Sequence, residues 1–260
     1  MTERPLLFGV PLDLETFPQA VEHCTALIAE RRAVQHVVLN AGKVVMMQDQ
    51  PPLRDAVAGC EVVHADGQSI VWAGRLAGLA VPERVAGIDL MQSLLGVCEA
   101  RAWPVYFLGA TDDVLERFVS VVRERHPGLP IAGYRNGYFT DDSAVAASIE
   151  QSGARALFVG ISSPRKELFL QHCLAEMGPV FAMGVGGSFD VLAGMTPRAP
   201  LWVQRSGLEW FFRLMQEPRR LASRYLIGNT RFAVLAIREA VRQRTAPTRE
   251  TDSDTKEGLG

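Results

Sequence analysis

Cysteine is scarce in this 260-residue chain: Cys24, Cys60, Cys98 and Cys173 are scattered, with no C-x-x-C among them. The five histidines (His23, His36, His64, His126, His172) are equally dispersed, and only His23 and His172 adjoin a cysteine. A disulfide framework and a zinc site are therefore not expected, and a reducing cytosol suits the composition. No apolar run approaches the ~20 residues of a membrane-spanning helix, and no basic start leads into an apolar segment. The chain is expected to stay cytoplasmic. Nucleotide signatures are missing too. No G-x-x-x-x-G-K-[ST] occurs, and "FAMGVGGSFDVLAG" (181–194) places Phe189 where the dinucleotide fingerprint needs its third glycine. No strand follows that could carry an acidic ribose ligand, so nicotinamide is set aside. H-E-x-x-H and carboxylate clusters are absent, and neither a metal nor a cofactor is expected.

What is present is an alternation. "HVVLN" (36–40), "EVVHA" (61–65), "PVYFLG" (104–109), "ARALFVG" (154–160) and "PVFAMGV" (179–185) are short, rich in Val and Phe, and bounded by Gly, Asp or Asn. They read as buried strands of a parallel sheet. Between them "TDDVLERFVSVVRERHPG", "IDLMQSLLGVCEARA" and "SPRKELFLQHCLAEMG" carry helical stripes, the first with Thr111 as N-cap candidate. The fold class that follows is α/β: a Rossmann-like parallel sheet with helices on both faces, plus a C-terminal helical appendage. The boundaries read as a catalytic body over 1–196, an appendage over 197–244 that the body can fold without, and a polar tail over 245–260 expected to be disordered.

Charge separates the same regions. Residues 197–244 hold ten arginines, no lysine and three acids, a net +7, against −7 over 1–196. With Trp202, Trp210 and Phe211 interleaved, this segment suits phosphate or an anionic membrane surface, where arginine forks grip phosphate and an amphipathic face settles into headgroups. An Arg-rich RNA-binding protein is the alternative of a different class. It needs a broad basic face, which the acidic body does not offer, so no nucleic-acid partner is expected.

In open parallel sheets, ligands bind beyond the carboxyl ends of the strands. That rule selects Asn40, Asp66-Gly67, Gly109, Gly160 to Lys166, and Gly186 to Asp190. Asp66-Gly67 reads as a plain turn or as a carboxylate placed to take a proton from a hydroxyl. Arg84 and Asp89 read as an ion pair, a helix cap or substrate contacts. His64, on the same strand face as Asp66, reads as a satisfied strand residue rather than a base. The glycines of 184–187 would let backbone N–H groups approach a diphosphate.

In this order, "NAGKVV", "ADGQSIVW", "ERVAGIDL", "VYFLGA", "NGYF", "VGISSPRKE", "GVGGSFDVLAGMTPRAP" and "GLEWFFRLMQEPRRLASRY" resemble the WecG/TagA/CpsF family of bacterial glycosyltransferases (glycosyltransferase family 26), from about Leu6 to Phe232. The resemblance implies metal-independent, inverting transfer of a hexose from a UDP-sugar to a polyprenyl-diphosphate-linked saccharide in envelope or exopolysaccharide assembly, by an enzyme peripheral on the inner face of the membrane. By motif, Asp66 matches the general base. Gly186, Gly187, Phe189 and Asp190 match the loop lining the UDP pocket, and Tyr138 and Arg84 match further substrate contacts. Two departures stand out: Val38 where many members have Thr, and Lys166 where many have Gln. The second adds a cation to assist the departing UDP, a role also expected of Arg224. The hexose (glucose, N-acetylmannosamine or its uronic acid), the acceptor sugar and any homo-oligomer stay open.

Overall fold

The computed structural model describes residues 4–200, 202–203, 209–216 and 218–245. The polar tail lies outside them. Six strands form one parallel sheet: β3 (Val34–Leu39), β4 (Val62–Ala65), β5 (Val105–Gly109), β6 (Ile131–Arg135), β7 (Ala156–Gly160) and β8 (Phe181–Gly184), in the order β4-β3-β8-β7-β5-β6. β3, β4, β5 and β8 are buried throughout and β7 almost throughout, as expected of strands covered on both faces.

Period 2 sorts the side chains between layers. Val34, Val62, Val105, Phe107, Phe158, Phe181 and Met183 face α1 (Phe17–Glu30), α5 (Gly87–Ala100), α6 (Asp112–Arg125) and the short α9 (Ser188–Leu192). The alternate residues Tyr106, Leu108, Leu157, Val159 and Ala182 face α7 (Asp142–Ser152) and α8 (Arg165–Cys173). Toward the β4 edge, Val37, Leu39, Val63 and Ala65 pack on α2 (Ala41–Asp49), α3 (Pro51–Ala58) and α4 (Gln68–Leu76).

Two elements escape the apolar-run reading. β6, "IAGYR", is a partly exposed edge strand with no apolar run. β1 (Leu6–Leu7) and β2 (Val10–Pro11) form a separate antiparallel pair of two-residue strands, too short for any period to show. The C-terminal segment contains α10 (Glu209–Gln216) and the long α11 (Pro218–Thr245). The second half of α11 belongs to the body rather than beside it. Phe232 and Ala236 join the cluster built by β1, β2 and α2–α4, Phe232 lies 5.7 Å from Phe8 between ring centroids, and Glu239 Oε1 accepts the Phe8 backbone N–H at 3.2 Å. Arg231 adds a two-pronged pair to Asp49 at 2.6 and 2.8 Å. Deleting everything from residue 197 would therefore strip this layer of the core, so that truncation is not a neutral operation. No helix among the described residues is long and apolar enough to cross a membrane.

Candidate active site

Because all six strands run parallel, their carboxyl ends share one edge of the sheet. Backbone bonds stitch the loops there strand by strand: Asp66 N–H to Leu39 C=O at 2.8 Å, Val185 N–H to Val159 C=O at 2.9 Å, Ala110 N–H to Gly160 C=O at 3.1 Å and Gly137 N–H to Ala110 C=O at 2.9 Å. Three glycines permit that closeness. A Cβ on Gly109 would meet the Gly160 backbone at 2.5 Å, one on Gly160 would meet the Phe189 ring at 2.5 Å, and one on Gly137 would meet Ile161 at 2.9 Å.

The stitching is interrupted between β3 and β8. Their register ends at His36 opposite Met183, while β3 continues alongside β4 to Leu39 opposite Ala65. From β3 the chain turns into α2 and toward the β4 edge, whereas from β8 it turns into α9, which packs on α6 at the other side. Chains leaving adjacent strands in opposite directions open a crevice of the kind in which α/β folds hold ligands. A hollow of about 230 Å3 bounded by Ala33, Gln35, Glu61 and Leu170 lies at the opposite edge and contains none of the residues named above.

Asn40, Asp66 and the glycine loop follow β3, β4 and β8 at this edge, where the strand-end rule selected them. Asn40 caps α2, its Oδ1 accepting the Lys43 backbone N–H at 2.9 Å. Asp66, half-buried, precedes Gly67, whose φ of +100° starts α4 in a conformation that other residues rarely adopt. Gly186 has φ +53° with open space where a Cβ would lie, and Gly187 is exposed with ordinary φ of −75°. Asp190 is half-buried in the first turn of α9. Tyr138 is 78% exposed at the end of β6, its N–H on Asn136 Oδ1.

Phe189 does not line the crevice. Its ring is fully buried, stacked on Phe118 at 4.1 Å and edge-on to Phe107, in the space that Gly160 leaves. A five-residue helix needs an apolar anchor to seat the loop before it, and that is what Phe189 supplies.

Lys166 is also placed differently from its expected role. It is 5% exposed and donates to Ser163 Oγ at 2.5 Å and to Glu167 Oε1 at 2.8 Å, its methylenes filling the side of Gly184 that lacks a Cβ. The same Glu167 oxygen receives Lys43 at 2.8 Å and the Ser163 hydroxyl at 2.8 Å. Lys43 explains why the gap is stable. Val34 N–H points to β8 and Leu39 C=O to β4, so by alternation Val38 C=O points to β8, which has diverged; Lys43 Nζ takes that carbonyl at 2.8 Å. Burial alone would raise the Glu167 carboxyl, but the two ammonium groups hold it down to about 2. Burial and then Lys43 bring Lys166 down to about 8, against the pull of Glu167. Two cations on one carboxylate leave surplus positive charge at the base of the crevice. Sequence reading offered Lys166 alone, because Lys43 is 124 positions from Glu167.

Arg84 and Asp89 do not pair with each other. Arg84 donates to Glu209 of α10 at 2.7 Å, and Asp89, in the first turn of α5, accepts from Arg198 at 2.7 Å. The segment after α9 is thus clamped to the α5 end of the loop that follows α4. Arg198, raised above its ordinary range first by its bond to Asp89, also feels the charges of Glu209 and Asp66. Sequence reading passed over Arg198, whose hydrogen-bond partner Asp89 lies 109 positions away. Arg224 lies on α11, with its side chain outside the described residues.

His64 is the satisfied strand residue expected, fully buried between His36 Nε2 at 3.0 Å and Glu15 Oε2 at 2.8 Å.

Comparison with known proteins agrees with this geometry. The pattern of the Glycosyl transferase WecG/TagA/CpsF family matches residues 5–246. A Bacillus subtilis (strain 168) protein described as N-acetylglucosaminyldiphosphoundecaprenol N-acetyl-beta-D-mannosaminyltransferase is 30% identical over 203 residues, 78% of each chain. With a match running through both the parallel-sheet body and the C-terminal helix, the chain belongs to the WecG/TagA/CpsF family of glycosyltransferases.

Proposed function

We propose that the protein transfers a hexose from a UDP-sugar to a polyprenyl-diphosphate-linked saccharide, with inversion and without a catalytic metal, at the crevice between β3 and β8. The name of the Bacillus subtilis relative favours N-acetylmannosamine as the hexose and a lipid diphosphate bearing N-acetylglucosamine as the acceptor. What supports the reading is that Asp66 follows β4 and the glycine loop follows β8 at the same edge of the parallel sheet, with the Lys43–Glu167–Lys166 charge beside the gap where β3 and β8 part.

The chemistry needs those parts. A sugar hydroxyl is a poor nucleophile, so Asp66 takes its proton as the hydroxyl oxygen attacks the anomeric carbon. The bond from that carbon to the diphosphate oxygen breaks, and UDP leaves with the electron pair. Backbone N–H groups about Gly186 and Gly187, the buried Lys43–Glu167–Lys166 charge and Arg198 stabilise the departing anion. Asp190 orients the nucleotide, and Arg224 is the arginine of α11 expected to reach the diphosphate. Arg84 acts by holding α10 in place through Glu209. The lipid acceptor brings the enzyme to an anionic membrane, where α11 offers exposed Ile227, Val234, Ile237 and Val241 beside its arginines.

The test combines a UDP-sugar panel, a short-chain polyprenyl-diphosphate acceptor and mass analysis of the product. Asp66→Asn should lose about 10² to 10⁴ in turnover, the usual range for a general base, with UDP affinity unchanged by calorimetry. Gly187→Val should do the reverse and weaken UDP binding, since a Cβ there would meet only Asp190 Oδ2 at an ordinary 3.8 Å and should leave the fold intact. Near wild-type turnover in the Asn variant would return Asp66 to the role of a turn residue. Unchanged UDP affinity in the Val variant would mean that the loop only turns the chain.

A further inference from the structure

We infer that Cys24, His36 and His64 form a buried binding site for a late first-row transition cation, zinc(II) in the first instance, separate from the transfer chemistry. The three residues come from α1, β3 and β4, and each is at most 1% exposed. One donor atom from each lies within 4.8 Å of the others, the one such group among the described residues. One thiol and two imidazoles are the donor set that suits zinc, copper or cobalt and not magnesium or calcium.

The proton arrangement favours a metal further. Glu15 Oε2 accepts from His64 Nε2 at 2.8 Å, so that nitrogen carries a proton and His64 Nδ1 presents its lone pair. His36 Nε2, 3.0 Å from that lone pair, is then the donor. Two imidazole nitrogens this close, with one proton between them, have nearly the separation of two ligands on a tetrahedral ion, about 3.3 Å for metal–nitrogen bonds of about 2.0 Å. His36 Nδ1, on the other side of the ring, is buried with no hydrogen-bond partner. On the Nδ1 side no partner opposes a change of His36 tautomer, so its proton can move from Nε2 to Nδ1 while the cation takes the place between the rings. Cys24 binds as thiolate and releases one proton. The site then carries one net positive charge, which the ionised Glu15 balances through His64, in the carboxylate–histidine–metal relation common to such centres.

The ion would join β3, β4 and α1 below the crevice, two residues along β4 from Asp66, which at about 3.3 Å per residue leaves it out of reach of the reacting atoms. Full burial means that it loads during folding or through local opening.

The test uses the untagged full chain, unfolded in urea with chelator and refolded with one equivalent of cobalt(II) or zinc(II). We expect about one ion per chain to survive desalting, a sulfur-to-cobalt charge-transfer band with visible d–d bands, and a higher melting temperature with zinc than without. Cys24→Ser should lose the sulfur band, and His36→Gln should lose retention of the ion, both with wild-type far-ultraviolet circular dichroism after metal-free refolding. Refolded wild type that keeps no cobalt, or keeps it without the sulfur band, overturns the proposal whether or not the variants fold. Equal retention by Cys24→Ser and His36→Gln would place the ion elsewhere and overturn it as well.

Discussion

β3 carries a buried polar group on each of its faces, and the two obey opposite rules. On one face Lys43, Lys166 and Ser163 converge on a single oxygen of Glu167, leaving its Oε2 buried without a partner and an extra positive charge in the interior. On the other face a single, partly exposed carboxylate, Glu15, is relayed through His64 to His36, whose Nδ1 has no partner. The first group plugs the gap where β3 and β8 part and sits at the base of the crevice, so its imbalance is useful to an enzyme that must stabilise a departing diphosphate. The second lies where the sheet is intact and has no evident use for charge. A buried ion with its counter-ions removed is far costlier than a buried neutral group with a lost hydrogen bond, so the faces should respond very differently to equivalent changes.

The largest effect is expected at Glu167→Gln. The substitution keeps shape and leaves two buried ammonium groups facing an amide, and breaking a buried pair from one side typically costs about 3–5 kcal/mol. Urea denaturation at neutral pH measures it. A loss under 1 kcal/mol would mean that one lysine is already neutral or reaches water, and the idea of a charged plug would fail.

Glu15→Gln, its counterpart on the histidine face, should cost less, about 1–2 kcal/mol in metal-free protein. Its hydrogen bonds to His23 and His64 are charge-assisted, but part of the carboxylate touches water. Acid titration separates the two terms. Burial would push Glu15 up, yet its bonds to His23 and His64 bring it down to about 2, and Glu167 sits at about 2 as well. A carboxylate with depressed folded pKa stabilises above its unfolded value of 4.5 and loses that contribution as pH falls toward 2. Wild type should therefore lose stability steeply between those limits. The Glu15→Gln variant should start lower and fall less, and an unchanged acid slope would show that Glu15 is not held down by its histidines.

Much of this was legible beforehand, and the reasons are particular. Five of the sheet strands are apolar runs whose burial on both faces follows from their composition, and the parallel order follows from the helices between them. Knowing that strands are parallel is enough to place Asn40, Asp66 and Gly186 at one edge without any motif. What was hidden depends on pairs far apart in the chain. Arg84 with Glu209, Asp89 with Arg198 and Lys43 with Glu167 are joined by the fold alone. Phe189 was misassigned because a loop residue in a glycine-rich motif looks like a lining residue, whereas its ring fills the hole left by the missing side chain of Gly160. Cys24, His36 and His64 share no spacing that signals a ligand set, yet adjacent strands and the helix packed on them bring the three together. The core half of α11 escaped for a related reason: its buried residues Phe232, Ala236 and Ala240 recur at helical spacing, but arginines between them drew the eye to charge.

The smallest change in stability, and the most telling for function, is expected at Lys166→Gln. Removing one of two like charges from a buried carboxylate relieves Lys43–Lys166 repulsion while the amide still donates to Glu167, so stability at pH 7 should hold or rise by about 1 kcal/mol. The sign can be worked from the lysine itself. Its folded pKa of about 8 lies below the ordinary 10.5, so the folded state binds the proton more weakly than the unfolded chain does. Wild type is penalised below pH 8, and the penalty fades as pH rises from 8 to 10.5, where the unfolded chain also releases its proton. The advantage of the Gln variant should accordingly be greatest near neutrality and shrink toward pH 10, a trend that urea denaturation at several pH values reads directly. Turnover should move the other way. If the surplus charge helps UDP to depart, Lys166→Gln lowers kcat severalfold with little change in the KM for the donor, because the interaction strengthens as negative charge grows on the leaving oxygen. A variant both more stable and equally active would show that the second lysine contributes nothing to transfer, and the two faces of β3 would then differ in charge without differing in purpose.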